Sequence, residues 1–576
     1  AAAAAAGLAG VKTADAAPAP AAMPAPAVQS APAKRKLNIL FVFSDQERYR
    51  AKWPDGLTLP GHGKLREKGV SFHAHYCPAT MCTSSRSVIM TGLTTPNNGM
   101  FENSDVPWIK GLPPNVQTIG HMMRKAGYYS AYKGKWHLSR EFNKADPDRM
   151  FTSEMDKLGF SDFYGPGDII GHTLGGYEFD HLISGSAVTW LRRNGRPLSD
   201  DGKPWCLFVS LVNPHDIMYF NTDLPGQNVQ DNSNLMMHAA RKPPHPHYNA
   251  TWNEPLPANL YEPLDAPGRP KAHGEFMKAW GHVLGTIPPE DDRWRRFADY
   301  YVNCIRSVDM QVARIMQELE DLGLADDTII LYTSDHGEMA GAHGLRGKGP
   351  FAYEETIHLP FYMVHPDVKG GQNCQALTSH IDFAPTILSM AGVAPGAVEE
   401  LAGGMKLPGK DLTGLLTNPG AAGKHAARDS ILFTYSGLAL NDASVIERNA
   451  QAKAAGKNVM VELARQRYLP NLKNRGSLRT VFDGRYKYSR YFAPVEHNTP
   501  TTLEQIYKFN DVELFDLEKD PGENNNLGRD SAANKDLILA MNAKLNKIIE
   551  QEIGVDDGRE LPNIPLVNWA IDRVDM

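Results

Sequence analysis

Three apolar runs along this chain stop abruptly at polar residues. Leu37 to Phe43 runs into Ser44-Asp45-Gln46, Trp205 to Val212 into Asn213-Pro214-His215-Asp216, and Thr328 to Thr333 into Ser334-Asp335-His336-Gly337. Because nearly every residue is apolar, rather than every second one, each run predicts a strand buried on both faces. Helix-compatible sequence lies between them. It is clearest from Arg293 to Leu322, where Ile305, Val308, Val312, Ile315, Met316 and Leu319 recur at helical spacing. Buried strands alternating with helices predict an α/β fold, a large, mostly parallel sheet flanked by helices, with its ligand at the carboxyl ends of the strands.

The pattern changes in three places. Residues 1–35 are dominated by Ala and Pro and hold too few large side chains to offset chain entropy, so they are expected to be disordered. Ala1 to Val11 reads as the tail of an export-signal hydrophobic region, which predicts a periplasmic or secreted protein. Between Met218 and Pro289 the chain is rich in Pro, Asn and His with no sustained period, and is read as a long surface insertion in a catalytic domain spanning 36–425. Its His238, His245, His247, Tyr248, Trp252 and Trp280 are expected to pack the insertion onto the body, with stacking on a sugar or aryl ring as the functional alternative. An Ala/Gly-rich joint at 420–427 then leads to a smaller α+β domain, 426–576. There Arg479 to Tyr488 predicts a hairpin turning at Asp483-Gly484, Asp511 to Leu517 a further strand, and Asp536 to Ile553 a closing amphipathic helix.

Composition narrows the function. With 576 residues, 42% hydrophobic and 22% charged, and a formal net charge of −6, the chain carries no basic footprint for nucleic acid or an anionic membrane. No run approaches the ~18 apolar residues of a membrane-spanning helix. Five cysteines are too few for a disulfide scaffold, and the odd count leaves at least one unpaired.

The candidate chemistry sits at the strand ends and in two further segments. Asp45, Gln46, Asp335 and His336 offer two carboxylates, an amide oxygen and an imidazole, a donor set suited to Ca²⁺, Mg²⁺ or Mn²⁺. Cys82 opens Cys82-Thr83-Ser84-Ser85-Arg86-Ser87. A thiol at a helix start with an Arg one turn later makes a pocket for an oxyanion. In Gly134-Lys135-Trp136-His137, Lys135 and His137 would share one side of an extended segment, holding an anion and moving a proton. His215 and Lys348 complete the set. Taken singly, each is more often a turn residue, a satisfied core His or a solvated Lys.

In that order, together with Ser379–Leu388 and Leu514–Leu527, these segments resemble the type I sulfatases of the alkaline phosphatase superfamily over Asn38 to about Asn526. The resemblance implies an alkaline-phosphatase-like fold and hydrolysis of a sulfate monoester, with a sulfated small molecule or glycan as substrate. It implies that a maturation enzyme oxidises Cys82 to formylglycine (3-oxoalanine), and that Asp45, Gln46, Asp335, His336 and the modified Cys82 hold one divalent cation, Ca²⁺ with Mn²⁺ as the alternative. Arg86 would steady the formylglycine, Lys135 and Lys348 would hold sulfate oxygens, His137 would take a proton, and His215 would stand on the leaving-group side. Phosphonate monoester hydrolases share the metal pairs, and a non-catalytic sulfated-glycan binder is the reading outside enzymes. Ser84 stands where the family has Pro or Ala.

Overall fold

The computed structural model describes residues 36–561, apart from 107, 144–147, 166, 232–233, 459–461 and 463–469. The proposed export remnant, 1–35, lies outside the described residues.

Eight strands form the larger sheet. They are β1 (Asn38–Asp45), β2 (Val70–Tyr76), β3 (Tyr129–Gly134), β4 (Trp205–Pro214), β5 (Thr328–Ser334), β6 (His358–Val364), β7 (Gln372–Cys374) and β8 (Thr378–Ser379), in the order β3-β4-β1-β5-β6-β2-β7 with β8 beside β2. The pairs β3–β4, β4–β1 and β1–β5 are parallel, whereas β5–β6 and β6–β2 are antiparallel, so the sheet is mixed. Every residue of β1, β4 and β5 is buried, as their unbroken apolar runs require. The helix predicted from Arg293 to Leu322 spans Asp291–Asp321. Asp291 and Asp292 in its first turn complement the helix dipole, and Val308, Val312, Ile315 and Leu319 are packed beneath the sheet.

The register decides where the chemistry goes. Asp45 pairs with Pro214 across β1–β4, Ser44 with Ser334 across β1–β5, and Gly134 with Ser210 across β3–β4. Four neighbouring strands therefore end at one level and deliver Asp45, His215, Asp335 and Lys135 to the same edge, the carboxyl end at which open α/β sheets bind ligands.

A second, antiparallel sheet has the order β12 (Asp511–Asp516), β11 (Tyr486–Phe492), β10 (Ser477–Phe482), β9 (Ile431–Tyr435). The hairpin turns at Asp483-Gly484, and the closing helix, Lys535–Glu552, packs Ile538, Met541, Leu545 and Ile549 against Leu432, Val481 and Tyr488. This sheet is tied to the larger one by buried ion pairs. Lys487 lies 2.7 Å from Glu354 and 2.9 Å from Glu523, and Arg428 bridges Asp382 and Glu552. The N–H of Thr434 also donates to Pro78 C=O at 2.8 Å.

The 218–289 insertion differs from expectation. It contains a 14-residue helix, Lys271–Leu284, whose Ala272, Phe276, Ala279, Trp280 and Leu284 form a buried face. That spacing is helical, but the surrounding Pro, His and Gly obscure it in the sequence. Packing onto the body holds for part of the aromatic set. Trp252 Nε1 donates to Asn303 Oδ1 (3.0 Å), His247 Nε2 lies 3.0 Å from Asn303 O, and Tyr248 packs on Tyr300. Trp280 does something else, described below.

Candidate active site

Cys82 is the first residue of the helix Cys82–Thr91, every residue of which is buried. Its Thr, Ser, Val and Ile residues are poor helix formers, so tertiary contacts hold it. Thr83 Oγ1 donates to His137 O (2.7 Å), and Ser85 Oγ donates to the Asp335 carbonyl. The helix ends at Gly92, whose φ of 69° and 2.8 Å Cβ clearance to Ala384 suit glycine. Three non-glycine residues around the site also hold positive φ, namely Gln46 (78°), Met81 (78°) and His137 (59°). Backbone strain of this kind concentrates where function fixes geometry.

Arg86 organises the cluster. Its Nε donates to Asp335 Oδ2 (2.9 Å), Nη2 to Asp45 Oδ2 (2.8 Å), and Nη1 to Ser210 Oγ (2.6 Å) and Lys135 O (2.9 Å). Lys135 Nζ also donates to Asp45 Oδ2, at 2.7 Å. With both Oδ2 atoms engaged, the Oδ1 atoms turn toward His336 Nε2, 3.7 Å from each, and His336 Nε2 lies 3.3 Å from Cys82 Sγ. Ligand atoms of Asp45, Cys82, Asp335 and His336 all fall within 4.8 Å of one another, a donor set that fits a divalent cation. Gln46 stands beside them, its Oε1 accepting from Lys348 Nζ (2.5 Å) and its amide nitrogen donating to Glu338.

Electrostatics follow from burial and neighbours. Burial pushes the Asp45 carboxyl up, but Lys135, His215, Arg86 and His336 together hold it well below the usual carboxylate range. Asp335 is pushed up to about 6 by burial and by Asp45. Burial, then Lys135, holds both His137 and His215 well below the usual imidazole range, so both are neutral near pH 7. Among the described residues neither ring nitrogen of His137, nor Nδ1 of His215, has a hydrogen-bond partner, although Asp105 Oδ1 stands 3.9 Å from His137 Nε2.

Cys82, Lys135, His137, His215 and Lys348 line a single cavity of about 590 Å³. The structure thus gathers every predicted site residue into or behind one pocket. One expectation about the route is corrected. Lys135 and His137 do not share a face of an extended strand, because β3 stops at Gly134 and the backbone turns left-handed at His137. Asp168 holds that turn by accepting the backbone N–H groups of Trp136 (3.0 Å) and His137. Sequence reasoning missed Asp168, Ser210 and Glu338. Ser210 had a signal, as the one hydroxyl in the apolar run of β4. Glu338, three residues past Asp335, accepts from the N–H groups of Ala340 (2.9 Å) and Gly347 (2.7 Å) as well as from Gln46, and so shapes the approach to Lys348. All five cysteines are free and buried.

The model of the family described as Sulfatase matches residues 38–393. The chain belongs to the sulfatase family. It is thereby a sulfuric ester hydrolase of the alkaline phosphatase superfamily. An N-acetylglucosamine-6-O-sulfatase of Bacteroides thetaiotaomicron is 26% identical over 421 residues, covering 62% of this chain and 68% of the relative. The solved structure of BT4656 with its substrate D-glucosamine-2-N,6-O-disulfate superposes with a TM-score of 0.61 at 20% identity, covering 91% of this chain and 99% of that one. The phosphonate monoester hydrolase of Agrobacterium radiobacter gives a TM-score of 0.61 at 19% identity, covering 90% and 96%. The sulfatase fold is therefore shared with phosphonate enzymes, and the site must distinguish the two. No single described helix is long and apolar enough to cross a membrane.

Proposed function

We propose that this sulfatase cleaves a sulfate monoester, of a carbohydrate or an aryl alcohol, at the cavity around Cys82. It would use a formylglycine made from Cys82 by a maturation enzyme and one divalent cation, Ca²⁺ with Mn²⁺ as the alternative. The observation that carries this reading is the convergence of Cys82, the Arg86-tied carboxylates, Lys135, His137, His215 and Lys348 on one pocket. The hydrated aldehyde supplies a gem-diol nucleophile and the cation offsets negative charge on nucleophile and sulfate. Asp45 Oδ1, Asp335 Oδ1 and His336 Nε2, with Gln46 and position 82, hold the cation, while Arg86 fixes the carboxylates from behind. Lys135 and Lys348 bind sulfate oxygens and absorb charge as it develops. His137, held neutral and with neither ring nitrogen hydrogen-bonded among the described residues, accepts a proton at an imidazole nitrogen. His215 faces the departing alcohol. The Ala/Pro-rich 1–35 segment supports a periplasmic or secreted location.

Peptide mass spectrometry across Cys82, on protein from its own host, should show the thiol-to-aldehyde mass loss. That protein should prefer an aryl sulfate over the matched aryl phosphonate in kcat/KM. A large preference for phosphonate overturns the reading, and tight binding of a sulfated ligand without sulfate release identifies a binder instead.

A further inference from the structure

We propose that the leaving-group side of this cavity is built for an apolar, ring-bearing alcohol, so that the substrates are sulfate esters of aryl or alicyclic alcohols and not of sugars. This rests on the sulfatase reading above. The cavity lining is of two kinds. Glu102, Asn103, Asp105, Arg140, Glu141 and Asn143 make its polar part, with Asp105, Arg140 and Glu141 exposed to solvent. Much of its apolar part comes from the insertion. Tyr219 and Trp280 are buried, and Met218, Met237 and Val283 are half-buried on the cavity surface. These side chains continue inward into an apolar cluster with Phe276, Leu284 and Phe351.

The apolar wall begins at the sulfate-binding residues themselves. Lys348 Nζ lies 3.1 Å from Met218 Sδ, and the His215 ring meets Tyr219 edge-on with centroids 5.4 Å apart. The group attached to the ester oxygen would therefore meet Met218, Tyr219 and Trp280 before it reaches the polar rim. A sugar would turn hydroxyls toward Met218, Met237 and Val283, which offer no strong hydrogen-bond partner, whereas an apolar ring forfeits nothing there. Trp280 is held in this lining by an edge-on contact with Phe276, ring centroids 6.0 Å apart, and so offers a fixed apolar surface.

The test uses matured, metal-loaded protein and two esters of primary alcohols, cyclohexylmethyl sulfate and glucose 6-sulfate, whose leaving groups are matched in kind. The expected result is a kcat/KM at least about tenfold higher on cyclohexylmethyl sulfate. Trp280→Ala should raise KM for that ester about tenfold, with little change in kcat, and leave KM for glucose 6-sulfate unmoved. Trp280→Phe should restore most of the affinity. If Trp280→Ala fails to fold, Met237→Gln at the half-buried wall should show the same selective loss. A preference for glucose 6-sulfate, or an equal loss on both esters in the variants, overturns this inference alone. Turnover of neither ester, and of no aryl sulfate either, by matured protein overturns the sulfatase reading, and this inference with it.

Discussion

Arg86→Lys tests the arrangement of the site most directly. The substitution keeps a positive charge but removes the planar fork that spans Asp45 Oδ2 and Asp335 Oδ2. Arg86 is 1% exposed, so neither carboxylate has water to replace the lost bond. Breaking a buried, hydrogen-bonded charge pair costs about 3–5 kcal/mol. Unfolding entropy of about 2.1 cal/mol/K per residue over roughly 540 residues is ~1.1 kcal/mol/K, so the loss translates to a Tm lower by about 3–4 °C. The second consequence is specific to the site. Asp335 Oδ2 loses its guanidinium partner and Asp45 Oδ2 keeps only Lys135, so the two carboxylates are no longer held to one another, and loss of an outer partner that orients ligands typically lowers metal affinity about 10–100-fold. The control is Arg428→Lys, because Arg428 is also buried and bridges Asp382 and Glu552, neither of which lines the pocket. Thermal unfolding and chelator-competition titration of Ca²⁺ and Mn²⁺ would be run on both variants. Both should lose similar stability, but only Arg86→Lys should lose metal affinity. Unchanged affinity in Arg86→Lys, or an equal fall in Arg428→Lys, would refute the idea that the guanidinium presents the carboxylates to a cation.

Two further outcomes are expected. Ser84 is buried with a hydroxyl that has no partner among the described residues, so Ser84→Ala should leave stability unchanged or raise it by about 1 kcal/mol and should increase the formylglycine fraction measured by mass spectrometry. An unchanged fraction would show that Ser84 does not limit maturation. His62 is held between Glu47 Oε1 (2.8 Å) and Asp309 Oδ1 (2.6 Å); burial pushes its pKa down, but those carboxylates raise it to about 10. Since the folded value lies above the unfolded ~6.5, its stabilisation is complete below pH 6.5 and is lost as pH rises toward about 10, by at most ~1.4 kcal/mol per pH unit. Urea midpoints between pH 6 and 9.5 should fall in the parent and flatten in His62→Gln, and an identical slope in both would exclude His62 as the source.

The strands that carry ligands were legible because they are buried on both faces and end in Asp, a pattern that needs no long-range information. Their neighbours were less so. β2 alternates Ser71, His73 and His75 with apolar residues, β6 is broken by Pro360, and β9 is five residues long, so none repeats the unbroken apolar run of β1, β4 and β5. The ligands and cations were legible as types at spacings, but their mutual geometry was not, since Asp45 and Asp335 are brought together by strand register alone. Asp168 was invisible for a different reason. It acts on backbone N–H groups of a segment thirty residues earlier, and nothing in Gly167-Asp168-Ile169 distinguishes it from an ordinary turn aspartate. The helix Lys271–Leu284 escaped because its apolar face is interleaved with Gly, His and Lys.

The ion pairs that join the two sheets bear on how this chain can be cut. The match to the family model ends at residue 393, yet Glu354 and Asp382 inside it rely on Lys487 and Arg428 outside it. A fragment stopping there would keep its catalytic side chains but leave buried Asp382 without Arg428, a loss worth several kcal/mol, and leave half-buried Glu354 with His358 but without Lys487. It would also lose the Thr434 contact to Pro78, four residues before Cys82. The smallest piece that can be shuffled, fused or trimmed as a working unit is thus longer than the stretch the family model matches, and its far boundary lies at the closing helix.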